Sequence, residues 1–444
     1  MINLIQIYCC SALLFSALVN IDAQDFSNIV HIAWDNNSLL KAKNFQLESA
    51  NFALQEAKAM YGPDIKFGTQ YTLSEGGRRI NFPVGDLLNP VYSTLNQVTQ
   101  TNVFPQIANV NEQFLPNNFY DARFRISQSI YYPDLAINKK LKKETIQLKD
   151  IEIKAFKRQI SRDVMTAWFQ LETANKALGI YKAADTLLSE AKRSTQSLIR
   201  NGVALPSALS RIETQIAIIS AQNSEAIANA RNAERYLRFT LGIKEDMPLP
   251  QIGAFPDGPE ILSITPGERE DILQIKQGIK IQGLAIQKEN QFYKPRLGAQ
   301  LDLGSQDFDF GFEPYALFGI NLELNIYDSK KHKYRKEAAN AEIMASTAQI
   351  NHVSGQMELL VKVTKENLEA AIEQSNTFLT RKNATRKIYA EILRKYNEGS
   401  SGYLELIDAQ SQVTQVELQH LIAQNNAWLK WVEYIYATAS FPIE

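Results

Sequence analysis

The residues best able to do chemistry are few and scattered. The four histidines, His31, His332, His352 and His420, stand alone, with no pair at metal-site spacing and none set beside a glutamate base on a helix face. There is no nucleophile elbow and no phosphate-binding loop. The only two cysteines, Cys9 and Cys10, lie in an apolar leading segment. The residues therefore point to a protein that is not an enzyme and needs neither metal nor cofactor. With 47 Lys+Arg against 48 Asp+Glu in 444 residues, there is no basic field for nucleic acid and no acidic disordered tail.

Residues 1–23 read as a signal peptide, an apolar run from Ile2 to Ile21 followed by Asp22-Ala23-Gln24. Its only positive charge is the α-amino group, so an uncleaved anchor is the alternative. Cleavage would remove both cysteines and one acid, Asp22, leaving a thiol-free mature chain with zero net charge. Beyond this segment no stretch reaches the roughly 18–20 apolar residues of a transmembrane helix. Any membrane crossing by the mature chain must use strands.

Two long segments, about 134–200 and 329–397, contain no proline and are rich in helix-forming residues with apolar side chains at three and four spacing, such as Ile153, Phe156, Ile160, Val164 and Trp168. At 1.5 Å per residue each predicts a helix of roughly 100 Å. Shorter helices are expected over about 27–61, 204–241, 267–293 and 402–440. In pairs these total about 73 and 66 residues, close to the long ones, as in a wall of paired helices. Between them lie four segments of period two. Ile65, Phe67, Thr69 and Tyr71 alternate with polar neighbours, as do Ala122, Phe124 and Ile126, Leu297, Ala299, Leu301 and Leu303, and Phe318, Ile320 and Leu322. Such strands fit a transmembrane barrel or the half-covered face of a soluble sheet equally well.

The pattern is duplicated. The junction Ser129-Ile130-Tyr131-Tyr132 aligns with Asn325-Ile326-Tyr327-Asp328, 196 residues later, and the turn Arg200-Asn201-Gly202-Val203 with Asn397-Glu398-Gly399-Ser400, 197 later. This predicts a first repeat over 24–241, a linker over 242–266 and a second repeat over 267–444, with about 75–118 as an external loop. Four strands cannot close a barrel, and open edges cannot persist in hydrocarbon. Membrane strands would require an oligomer, of three or more copies if solutes are to pass.

On these residues the chain resembles the TolC-like outer-membrane efflux proteins. The resemblance rests on the duplicated order, the two strand-to-helix junctions and the two glycine-centred turns. It implies a mostly α, α+β chain that forms a homotrimer, with a 12-stranded transmembrane β-barrel continuing into a long periplasmic α-helical barrel. It also implies a porin-like channel in the outer membrane, in contact with outer-membrane lipid, acting as exit duct of a tripartite system with a periplasmic adaptor (membrane fusion) protein and an inner-membrane transporter. By the same resemblance Tyr396, Glu405 and Asp408, three before and six and nine after Gly399, match a channel gate, three chains placing six carboxylates around one axis. The two acids also suit the first turns of a helix. Gly202, Val203 and Ala204, with Gly399, Ser400 and Ser401, match the tips that meet the adaptor, although glycine also simply ends helices. Ala208 and Ser401 stand where the family's ion-pair latch would need charged residues. The reading of a different class is a soluble periplasmic coiled-coil adaptor or interaction protein, which does not account for four strands at matching points of a duplication.

Overall fold

The computed structural model describes residues 20–115, 117–250, 258–261 and 266–443. The leading residues of the expected signal segment, and two stretches of the expected linker (251–257 and 262–265), lie outside them. The chain groups into two units. One takes the described residues within Met1–Asn51, Glu144–Gly283 and Asn340–Glu444 and is helical. The other, Phe52–Lys143 and Leu284–Ala339, holds the strands.

Among the described residues the order is α1 (Asn20–Asn36), α2 (Ser38–Ala59), β1 (Pro63–Thr72), β2 (Arg79–Phe82), α3 (Val84–Thr99), β3 (Val110–Gln113), β4 (Phe119–Tyr131), α4 (Pro133–Arg200), α5 (Pro206–Leu241), α6 (Glu270–Glu289), β5 (Arg296–Asp307), β6 (Pro314–Glu323), α7 (Lys331–Asn397) and α8 (Tyr403–Ala437). The mostly helical class and the four main strands agree with expectation. Two details differ. The segment expected as one helix over 27–61 divides at Asn37, whose Oδ1 accepts the Leu40 N–H at 2.9 Å and so starts α2 afresh. The expected loop over 75–118 is itself structured, carrying α3 and the antiparallel β2–β3 pair that brackets it.

The local causes are plain. In α4, Pro133 occupies the first helical position, Asp134 and Arg200 complement the helix dipole at either end, and Gly202 just beyond it takes a left-handed φ of 72°. In the helical unit Phe26, Val30 and Trp34 from α1, Val164, Trp168 and Phe169 from α4, Leu237 and Leu241 from α5, and Trp428 and Val432 from α8 form one core. Phe169 stacks on Trp428 with ring centroids 5.0 Å apart.

The strand unit is built on a four-stranded antiparallel sheet in the order β1-β4-β5-β6, leaving β1 and β6 as its edges. A bulge between Ser129 and Tyr131 shifts the register of the β4–β5 ladder at its last pair, Tyr131 with Leu297, just before α4 begins.

Candidate functional site

Alternation sends most of each strand's apolar residues to one face of the sheet, and among the described residues that face is exposed. Phe67 is 61%, Phe318 68% and Leu322 69% exposed, and Ile65, Phe124 and Ile320 are exposed beside them. A sheet of a water-soluble protein buries such a face against a core. Tyr71 and Tyr120 at one end of the sheet both stack on Phe310 in the β5–β6 turn, at 5.3 and 5.6 Å. Aromatic clusters of this kind suit the border of a bilayer.

The other face is polar and its charges cancel. Asp302 receives Arg125 through two hydrogen bonds of 2.8 Å, Nε to Oδ1 and Nη2 to Oδ2, and a third at 2.9 Å from Gln300. Arg125 and Asp302 sit directly opposite in the β4–β5 register. Arg123 pairs with Asp121 at 2.8 Å, and the Tyr315 hydroxyl donates to the same Asp121 at 2.8 Å. Lys66 pairs with Asp64 at 2.6 Å, and Arg296 with Glu323 at 3.8 Å. Every carboxylate named here thus has a cation beside it, so this wall has little net attraction for ions of either sign. These pairs escaped the sequence reading, because alternation places a residue on a face while only the register says what stands opposite.

In the helical unit the two glycine turns are built alike. The Val203 N–H donates to the Leu198 carbonyl at 2.9 Å and Ser400 N–H to the Lys395 carbonyl at 2.9 Å, while Gly202 and Gly399 donate to Ile199 and Tyr396, both at 3.0 Å. Both glycines have positive φ, 72° and 75°, and a Cβ at either would meet nothing within 4 Å. The turns therefore need glycine for its backbone freedom and leave open space around it. Val203 is exposed at the first turn, Ala204 half-buried, Ser400 exposed and Ser401 half-buried.

Tyr396 is buried, 3% exposed, among Ala191, Ile212, Tyr389, Leu406, Ala409 and Val413. Its hydroxyl lies 2.5 Å from Thr195 Oγ1. Because the Thr195 hydroxyl donates to the Ala191 carbonyl at 2.8 Å, the tyrosine is the donor, and the bond pins α7 to α4. Glu405 and Asp408 are both exposed on the first turns of α8. Ser401 Oγ donates to Glu405, and Gln412 Nε2 to Asp408 Oδ2 at 2.8 Å. The structure therefore brings the two acids together near the second turn and sets Tyr396 apart from them, inside the packing of the helices. Ala208, where a latch acid was looked for, is fully buried.

A buried ion pair farther along the helical unit was also missed. Arg158 on α4 donates from Nε and Nη2 to the two oxygens of Glu270, at 2.8 and 2.7 Å, and from Nη1 to the Phe441 carbonyl at 3.1 Å. Neighbouring Arg269 stacks on Tyr436 and donates to its carbonyl at 3.0 Å. Partners 112 residues apart leave no signature in spacing. No group of residues that could hold a metal ion occurs among the described residues, and no helix there is long and apolar enough to cross a membrane.

A sheet with an exposed apolar face in a chain that also carries helices of 68 and 67 residues is a fold shared with solved outer-membrane channels. The crystal structure of CusC, described as undergoing conformational changes on folding and transmembrane channel formation, superposes with a TM-score of 0.73 at 12% identity, over 94% of this chain and 92% of that one. The Campylobacter jejuni CmeC outer membrane channel gives 0.71 at 13% identity, over 93% and 85%. The open-state Neisseria gonorrhoeae MtrE outer membrane channel gives 0.67 at 15%, over 93% and 88%. Residues 270–433 match the family described as outer membrane efflux protein. No curated protein sequence matches the chain. The resemblance to TolC-like outer-membrane efflux proteins therefore holds, residues 270–433 carrying the family's sequence pattern and 93–94% of the chain the fold.

Proposed function

We propose that this chain is one protomer of a trimeric exit duct of the outer membrane, passing small molecules or other exported cargo outward from a periplasmic adaptor and an inner-membrane transporter. The observation that carries it is the four-stranded sheet with an exposed apolar face, a charge-balanced polar face and two unpaired edges. Three copies, β1 of each pairing with β6 of the next, would close 12 strands around a wet lumen with no open edge, as hydrocarbon requires. A soluble adaptor with the same helices has no use for Phe67, Phe318 and Leu322 in water. The test is the native mass of protein extracted from membranes in mild detergent. A trimer that fractionates with outer membranes and aggregates without detergent is expected. A monomer or dimer released by salt alone would overturn the reading.

Selection of cargo by charge would then fall to the helical end. Glu405 and Asp408, exposed together, are proposed as a ring of six carboxylates in the trimer that draws cations and repels anions. Replacing both, Glu405→Gln with Asp408→Asn, should lower the cation-over-anion permeability ratio in planar bilayers several-fold. An unchanged ratio would remove the ring. Tyr396 is proposed to act in the gate as the pin between α7 and α4 that opening must break.

The two turns, with their small residues and exposed Val203, are proposed as the tips that receive the adaptor. Arginine at Gly202 and Gly399 costs about 1 kcal/mol per site in the left-handed conformation, too little to unfold helices of this length. Adaptor crosslinking and export should nevertheless be lost in the double variant. Their persistence would rule out docking at the tips.

A further inference from the structure

The connection between β1 and β4 holds a helix whose polar side is turned toward its own protein. Along α3 the residues Asp86, Asn89, Ser93 and Asn96 face a returning strap, residues 104–109. Asn89 Nδ2 donates to the Ile107 carbonyl and Ile107 N–H to Asn89 Oδ1, both at 2.9 Å. Two turns on, Asn96 does the same with Phe104, at 2.7 and 3.1 Å. The Asp86 N–H donates to Asn109 Oδ1 at 3.1 Å, Asn109 Nδ2 donates to Asp86 Oδ2 at 2.9 Å, and Gln106 Nε2 donates to Ser93 Oγ at 2.9 Å. Gly85 lets the strap come close, since a Cβ there would lie 2.4 Å from the Ile107 carbonyl oxygen. The helix is thereby fixed in rotation. At about 100° per residue its apolar residues Leu87, Leu88, Val91, Leu95 and Val98 fall on the opposite side. Leu87 is 70% and Val98 76% exposed, and the other three are exposed with them.

We propose that this stripe is covered by a second copy of the chain, so that α3 of each protomer clamps its neighbour at the outer end of the barrel. The inference rests on the trimeric duct proposed above. Two observations choose the occupant. The helix begins 12 residues after the end of β1, an edge strand whose free side must pair with β6 of the next copy, so the stripe continues that interface. Antiparallel closure sets the Thr72 end of β1 beside the Pro314 end of the neighbour's β6, next to exposed Phe308, Phe310 and Phe312. Charge points the same way. No Lys or Arg occurs between Arg79 and Arg123, and the only charged residue of α3, Asp86, is already bonded to Asn109. A helix lying on anionic headgroups normally carries Lys and Arg along its polar side, whereas a helix meeting its own copies is best left uncharged.

The test places the photo-crosslinker benzoylphenylalanine at Val91, at Val98 and, as control, at exposed Gln97 on the other side of the helix, in outer membranes of cells making the full chain. Native mass of each variant before irradiation shows whether the trimer is intact. Covalent dimers from Val91 and Val98, with few or none from Gln97, are expected. Lipid adducts, or unmodified monomer chains from an intact trimer, would overturn the clamp while leaving the duct standing. A parent protein that is not a trimer would overturn both.

Discussion

An arginine in place of Phe318 should keep the protein out of the outer membrane. Phe318 stands mid-strand on the apolar face of β6, opposite Leu301 of β5, with open space beyond it. A charged residue at the lipid-facing midplane of a barrel costs about 2–4 kcal/mol, and a trimer would incur it three times, roughly 6–12 kcal/mol for the assembly. Phe318→Arg should therefore disappear from the outer-membrane fraction and from the trimer peak in detergent. Asn321→Arg, three residues along and on the polar face opposite Gly298, should assemble as the parent does. Two outcomes would contradict the membrane reading: both variants assembling, or both failing alike.

The second large effect is expected at Glu270. Its side chain and that of Arg158 are each only 7% exposed. Removing the carboxylate strands a guanidinium that, among the described residues, retains the Phe441 carbonyl alone. Breaking a buried pair in this way costs about 3–5 kcal/mol, whereas replacing both partners by apolar residues of similar volume is often close to neutral. Glu270→Ala should thus lower the urea midpoint of the helical unit strongly, as read from the fluorescence of Trp168 and Trp428 in its core, and Arg158→Met with Glu270→Met should recover most of the loss. A double variant as weak as the single one would show that the pair contributes more than mutual neutralisation.

The same pair sets a pH dependence. Burial works to raise the Glu270 carboxyl pKa, but the hydrogen bonds and charge of Arg158 outweigh it, and the carboxyl sits below its ordinary range. A folded-state value lowered in this way stabilises the fold fully above the unfolded value of about 4.3 and is lost as pH falls through the lower folded one. The parent should lose stability across that acidic window, and Glu270→Ala should lose less there. Parallel pH profiles for the two proteins would mean that the pair is not what titrates.

The three residues at the proposed gate show how far reading by position alone can go. Counting from Gly399 placed Tyr396, Glu405 and Asp408 near one turn, and the acids do lie exposed there together. The count could not say which side of α7 faces inward, and Tyr396 is held inside by Thr195, a residue 201 positions away. Likewise, apolar residues recur along α3 in a pattern that looks the same whichever side docks. Only the Asn89 and Asn96 contacts to the strap reveal that the polar side is the one held.

What the sequence determined by itself is what depends on neighbours along the chain. The period of two marked the strands because alternate side chains must point to opposite faces. Pro133 and Gly202 bounded α4 to within a residue or two, because each acts on its own backbone. The duplication and the count of four main strands followed, and with them the need for more than one copy in a membrane. Tertiary structure alone decided what depends on partners distant in sequence: the cancelling of charge between Arg125 and Asp302, the burial of Arg158 with Glu270, and the nakedness of the apolar face. Alternation reads the same for a lipid-facing strand and a core-facing one, since both put apolar side chains on one face. The difference lies in whether anything packs against that face, and here nothing of this chain does among the described residues.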